Sequence, residues 1–139
     1  MAQGQKQVRI IEPLERFVNR INLVGCYARV SSDSEDQLNS YNNQVDFYES
    51  YVNSLENSKL VKIYTDEGIT GTRMDKRDGF LQMIEDCRKG LINTIITKSI
   101  SRFARNITET LSVVRELKSI GVSVYFMTEK LDTAKMEVK

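Results

Sequence analysis

The chain contains no histidine and no tryptophan, a single proline and two cysteines. With no imidazole available, any serine chemistry must proceed without its usual base. Cys26 falls in an apolar stretch and Cys87 in a helical one. They form no CxxC and have no ligand-like spacing, which excludes a zinc site and leaves two buried thiols of a reducing compartment. No apolar run approaches the length of a membrane span and no stretch reads as a secretory signal, so an intracellular protein without a membrane partner is expected. Neither sign of charge dominates. Lys and Arg number 20 and Asp and Glu 19, for a net charge of +1. A polycation of the histone type is thereby excluded, and local arginine placement must carry any argument for nucleic acid. Neither GxxxxGK[ST] nor GxGxxG is present, which argues against a nucleotide-dependent enzyme.

What is present fits one globular domain. The 139 residues are 40% hydrophobic and 28% charged, enough apolar material to bury a core. Residues 1–21 form an N-terminal extension. It is polar at first, then opens a short helix at Pro13 with Leu14, Phe17, Val18 and Ile21 as its apolar stripe. From Leu23 onward strand and helix alternate. Leu38, Tyr41, Val45, Tyr48, Val52 and Leu55 recur every three or four residues, as in an amphipathic helix that covers a sheet. Lys59–Asp66 alternates as a second strand. Phe80, Ile84 and Cys87 mark a helix that stops at Gly90, and Ile92–Lys98 is a third strand. Asn106 with Glu109 makes a capping-box-like start for a helix that ends at Gly121. Val122–Met127 is a fourth strand, and Thr128–Lys139 reads as a polar, weakly structured tail. The expected fold is α/β, a mainly parallel central sheet of about four strands with helices on both faces.

The richest segment is Leu23-Val-Gly-Cys-Tyr-Ala-Arg-Val-Ser-Ser32. With a period of two, Val24, Cys26, Ala28 and Val30 share one face, and Tyr27, Arg29 and Ser31 share the other. That parity favours Ser31 over Ser32 as the hydroxyl beside Arg29. In parallel sheets function gathers at the carboxyl ends of the strands. Arg29-Val-Ser31, Asp66-Glu-Gly-Ile-Thr-Gly and Lys98-Ser-Ile-Ser-Arg-Phe-Ala-Arg105 should therefore meet on one rim. If Ser101–Arg105 begins a helix, Arg102 and Arg105 face the same way. With Arg29 and Arg77, four guanidinium groups then surround one serine, an arrangement suited to a phosphate. Taken alone, Arg77 in its mixed-charge stretch reads sooner as a solvated cation or one that caps a carbonyl than as a phosphate ligand. A receiver-type signalling domain needs clustered acids after the first strand, where this chain has Arg29 and Ser31.

Tyr27-Ala-Arg-Val-Ser31, Asp66-Glu-Gly-Ile-Thr-Gly-Thr72, Lys76-Arg-Asp-Gly-Phe80 and Lys98-Ser-Ile-Ser-Arg-Phe-Ala-Arg-Asn106 occur in this order. Over residues 22–130 the chain resembles the serine recombinases of the resolvase/invertase superfamily. The N-terminal extension, the helix start Glu35-Asp-Gln-Leu-Asn-Ser-Tyr41 and Ser101 in place of an aspartate resemble the large serine recombinases, which include phage integrases and mobile-element transposases.

The resemblance implies a resolvase-like catalytic domain over residues 22–139, in a bacterial or phage-encoded cytoplasmic protein. Ser31 is the implied nucleophile, becoming linked to a DNA 5′-phosphate and releasing a 3′-hydroxyl, with no cofactor and no metal. Arg29, Arg77, Arg102 and Arg105 are the implied phosphate-binding arginines, with Gln44, Tyr27, Ser101 and Asp66 in support. Ser101 removes one carboxylate base, which leaves the Ser31 proton to the arginine cluster or water, with Asp66 as the other candidate. The implied partners are double-stranded DNA and further copies of the protein, as dimer and tetramer. The family's long dimerisation helix is expected to begin at about Lys139 and to lead to a DNA-binding region, so residues 22–139 read as a catalytic domain cut short of both, with weak or no cleavage expected from it alone. A non-catalytic assembly module of the same fold is the alternative reading.

Overall fold

The computed structural model describes residues 21–31, 34–68, 77–104 and 106–135, except the side chains of residues 31–40 and 68. The elements are β1 (Asn22–Ser31), α1 (Ser34–Asn53), β2 (Ser58–Gly68), α2 (Asp78–Arg88), β3 (Thr94–Thr97), α3 (Ile100–Phe103), α4 (Ile107–Ser119), β4 (Ser123–Phe126) and β5 (Leu131–Asp132). A 3-10 turn follows at Thr133–Lys135. The expected extension helix at residues 13–21 lies outside the described residues apart from Ile21.

The sheet has five strands in the order β2-β1-β3-β4-β5. The first four run parallel and β5 pairs antiparallel to β4. Strand parity sorts the core into two layers. Val24, Cys26, Ala28 and Ile96 pack against Tyr48 and Val52 of α1. On the other face Tyr27, Ile95 and Val124 meet Phe80, Met83, Ile84 and Cys87 of α2, Phe103 of α3, and Val114 and Leu117 of α4. Helices thus cover both faces, and burying these side chains supplies the main drive to fold. Both cysteines are buried and unpaired. Among the described residues no helix is long and apolar enough to cross a membrane.

Several local expectations hold. Gly90 and Gly121 follow α2 and α4 with φ of 79° and 82°, the left-handed region in which a glycine ends a helix without strain. Asn106 caps α4, its Oδ1 accepting from Glu109 N at 2.8 Å.

Three expectations change. Tyr41 of the predicted α1 stripe is exposed, and burial concentrates at Tyr48 and Val52. The tail is not weakly structured from Thr128: β5 and the 3-10 turn close the sheet edge. Thr133 is buried there, its Oγ1 accepting from Val124 N at 2.8 Å and its carbonyl from Lys118 Nζ at 3.1 Å. The segment after β3 is also not one helix. The single turn α3 ends at Phe103, and Ala104 is extended at φ −143°, ψ 162°. Phe103 and Ala104 are drawn into the core, and Asn106 starts a fresh helix. The helical premise that pointed Arg102 and Arg105 the same way is therefore absent.

Candidate active site

Beyond its pairing of Tyr27 with Thr97, β1 continues with β2 as its one strand partner among the described residues. This two-stranded projection brings Arg29 opposite Asp66 and the backbone of Ser31 opposite Gly68. The Ser31 side chain lies outside the described residues, as does Arg105.

Two of the sequence-selected residues meet at the carbonyl of Arg29. Gln44 Nε2 of α1 donates to it at 3.3 Å, and Arg102 Nη1 of α3 at 3.4 Å. The carbonyl of Tyr27, two residues earlier, accepts from Tyr48 Oη at 3.2 Å and Thr97 Oγ1 at 3.1 Å. Side chains from α1, β3 and α3 thus fix the path of β1 just before Ser31. Arg102 is exposed, and its turn is capped by Ser99, whose Oγ accepts from Arg102 N at 3.3 Å. Ser101 is exposed with its Oγ 3.1 Å from that of Ser99. Glu129, from the turn after β4, adds a second cap by accepting from Ile100 N at 3.2 Å.

Asp66 occupies a different level, beneath the rim and buried. Its Oδ2 accepts from Tyr27 Oη at 2.7 Å and Phe80 N at 2.9 Å, and its Oδ1 from Gly79 N at 2.7 Å. The carboxylate sits on the first N–H groups of α2, where the helix dipole favours negative charge. Gly79 makes this approach possible: a Cβ there would lie 2.4 Å from the carbonyl oxygen of Thr65. Burial chiefly, then the hydrogen bond and charge of Asp66, raise the Tyr27 phenol above its ordinary range, with the Arg77 cation opposing them. Arg77 directly precedes α2; its Nη1 pairs with Glu109 Oε1 at 2.9 Å and its Nη2 donates to the carbonyl of Phe103.

Sequence reasoning therefore located Arg29, Gln44 and Arg102, which the fold gathers, and Tyr27 and Asp66, which it joins. It missed Glu109 as a partner of Arg77 and Glu129 as a cap. Glu109 carries a signal only as the third helical position after Asn106, and nothing in the sequence marks Glu129. A cavity of about 400 Å³ opens beside Gln44, walled by Phe47, Tyr48 and Met127, with Lys98 at its side. Its apolar walls suit packing better than a phosphate.

Residues 24–138 match the model of the resolvase N-terminal domain. The transposon Tn552 resolvase of Staphylococcus aureus is 31% identical over 111 residues, covering 76% of this chain and 46% of that protein. The chain thus spans about half the length of that relative. The crystal structure of a resolvase family site-specific recombinase from Streptococcus pneumoniae superposes with a TM-score of 0.69 at 25% identity, covering 84% of this chain and 78% of the other. The N-terminal catalytic domain of TP901-1 integrase shares the fold, with a TM-score of 0.67 at 22% identity over 81% of this chain and 82% of that one. A match over nearly the whole described sheet, with Arg29, Gln44 and Arg102 gathered at the end of its central strand, makes this chain a member of the resolvase N-terminal domain family, with the fold of serine recombinase catalytic domains.

Proposed function

We propose that the chain is the catalytic domain of a site-specific DNA recombinase in which Ser31 is the nucleophile. The observation that carries this reading is the convergence of Gln44 and Arg102 on the carbonyl of Arg29, two residues before Ser31 at the end of β1. A strand held so firmly presents its last residues in a fixed geometry, as nucleophilic attack requires.

The Ser31 Oγ attacks a scissile phosphorus in double-stranded DNA. A bond forms from that oxygen to the 5′-phosphate, and the bond from phosphorus to the 3′-oxygen breaks. The serine proton passes to water, and water returns a proton to the departing 3′-oxygen, which leaves as a hydroxyl. The phosphodiester is exchanged rather than hydrolysed, so rejoining by the reverse step needs no ATP. Arg29 and Arg102, with Arg105, supply the positive charge that steadies the pentacoordinate transition state and eases ionisation of the serine. Asp66 does not serve as the base in this scheme, because its two oxygens already accept three hydrogen bonds. The same reading makes residues 1–21 an appendage to a catalytic domain. Copies of the protein assemble as dimers and tetramers, so that two DNA sites are cut together.

The test is covalent capture. The wild-type chain is mixed with a pool of random-sequence duplexes, denatured in detergent and examined for DNA that stays attached through a 5′-phosphoserine. Ser31→Ala is expected to abolish the adduct and Ser32→Ala to retain it. An adduct formed by Ser31→Ala overturns the assignment. A chain that binds duplex DNA and assembles but captures none favours the assembly-module reading.

A further inference from the structure

Whereas Arg102 is exposed, Arg77 is largely buried. Its side chain is only 10% exposed. Nη1 is paired with Glu109, Nη2 with the Phe103 carbonyl, and the guanidinium carbon lies 4.0 Å from the centre of the Phe80 ring. Its Nε is buried without a hydrogen-bond partner among the described residues. Leaving a buried N–H unpaired is unfavourable, so packing and the Glu109 charge, not an optimised set of hydrogen bonds, determine where this group sits.

The elements it joins show what that position does. Asp66 ties the start of α2 to β2 through Gly79 and Phe80. Arg77, immediately before α2, then reaches across to Phe103 at the end of α3 and to Glu109 in the first turn of α4. Those two contacts bracket the stretch that follows Arg102 and contains Arg105. The bracketed stretch includes the extended residue Ala104, where the helical ladder is interrupted. Below it, Phe80, Phe103 and Phe126 stack edge to face with ring centres 5.2 and 5.3 Å apart. The break between two helices is therefore held by an aromatic floor and one ion pair.

We infer that Arg77 and Glu109 form a clamp that positions the turn carrying Arg102, so that Arg77 serves DNA cleavage through Arg102 and not by touching the phosphate. This rests on the recombinase reading above. A phosphate recruiting Arg77 would have to break its ion pair with Glu109, which a partly buried pair resists. Glu109 is accordingly a positioning residue, acting through Arg77 on the turn that precedes its own helix.

The probe is a duplex captured covalently by the wild-type chain, prepared again with a methylphosphonate at the scissile position. The methylphosphonate carries no negative charge, so an arginine needed to neutralise the phosphate becomes dispensable. Arg102→Ala is expected to lose about 100-fold in adduct formation on the phosphate and to recover most of it on the methylphosphonate. Arg77→Ala and Glu109→Gln are expected to lose roughly tenfold on both substrates, the signature of misplacement. Recovery of Arg77→Ala on the methylphosphonate to the level of Arg102→Ala overturns the inference. Two readouts need no DNA. Thermal unfolding of Arg77→Ala, Glu109→Gln and the double variant should be non-additive. Hydrogen exchange at the Ala104 amide, bonded to the Ile100 carbonyl at 3.1 Å, should quicken in each. Additive losses with unchanged exchange at Ala104 overturn the clamp even if no DNA is cleaved. A wild-type chain that captures no DNA defeats the recombinase reading and leaves these two measurements to decide the clamp.

Discussion

Tyr27 donates its phenolic hydrogen to Asp66 at 2.7 Å, across the paired strands β1 and β2. The carboxylate that caps α2 is thereby gripped by the same strand that carries Arg29 toward the rim. Asp66 is a structural hub under the site, and its chemistry is that of an anion accepting three donors.

Asp66→Asn should therefore lower stability more than it alters chemistry. An asparagine turns one oxygen into an NH₂ that faces donors, so at least one buried bond is lost. The expected cost is about 1–3 kcal/mol in urea unfolding. Adduct formation per folded molecule, and its pH profile between pH 6 and 9, should stay close to wild type. A collapse of activity in a protein that remains folded would restore Asp66 as a base.

Gly79→Ala tests the close approach that this hub needs. The new Cβ would press within 2.4 Å of the Thr65 carbonyl oxygen, a backbone atom with no rotamer to yield. The start of α2 must move away from β2, loosening both Asp66 bonds at once. The expected loss is roughly 2–4 kcal/mol, read as a lower thermal midpoint. Gly90→Ala should cost less, roughly 1 kcal/mol, because its positive φ is strained but nothing lies within 4 Å of the added carbon.

Alkaline stability follows from the two thiols. Burial pushes Cys26 and Cys87 up to about 12 from an ordinary 9.0. Above the ordinary value the unfolded chain ionises these groups while the folded chain keeps them protonated. Stability is therefore intact below pH 9 and falls as pH rises from 9 toward 12. Each thiol contributes a slope of up to about 1.4 kcal/mol per pH unit. Removing both in Cys26→Ala/Cys87→Ala should flatten this part of the pH dependence in chemical unfolding, although the variant starts lower because of the cavities it creates. An equal slope in wild type and variant would assign the alkaline loss to the buried tyrosines instead.

What the sequence revealed and what it concealed divide along a physical line. Periodicity along one element was legible: Val24, Cys26 and Ala28 separated from Tyr27, and Tyr48 and Val52 recurred at helical spacing. Local caps were legible too, because Asn106 and Glu109 lie within one turn. Contacts between distant polar groups were not. Asp66 of β2 reaches the N-terminus of α2, and Arg77 finds Glu109 from a different helix. The strand β5 escaped notice because Leu131–Asp132 is too short to show alternation. Thr133, which secures that edge, is a polar residue buried only because Val124 offers it an N–H. The break at Ala104 was hidden by Phe103, whose apolar side chain fits a continued helix as well as a buried turn.

Thr133→Val provides a check on that edge. The substitution keeps the volume and removes the acceptor for Val124 N. A loss of about 1–3 kcal/mol is expected, with hydrogen exchange quickened at Val124 and along β4 more than along β1. Uniform quickening over all strands would mean that the edge does not open by itself.

Arg102→Lys separates charge from geometry at the rim. Arg102 uses one terminal nitrogen on the Arg29 carbonyl at 3.4 Å, and its other donors, which have no partner among the described residues, can meet a phosphate oxygen from the same planar fork. Lysine keeps the charge but concentrates it on one nitrogen, which cannot hold the strand and bind the phosphate in the same fixed geometry. Losing one charge-assisted bond of about 1.5–3 kcal/mol corresponds to roughly a 10- to 100-fold fall in the rate of adduct formation. Non-covalent binding to duplex DNA should change little, since the net charge is preserved. Full activity in Arg102→Lys would show that only the positive charge matters there, and that the bond to Arg29 has no part in aiming the strand.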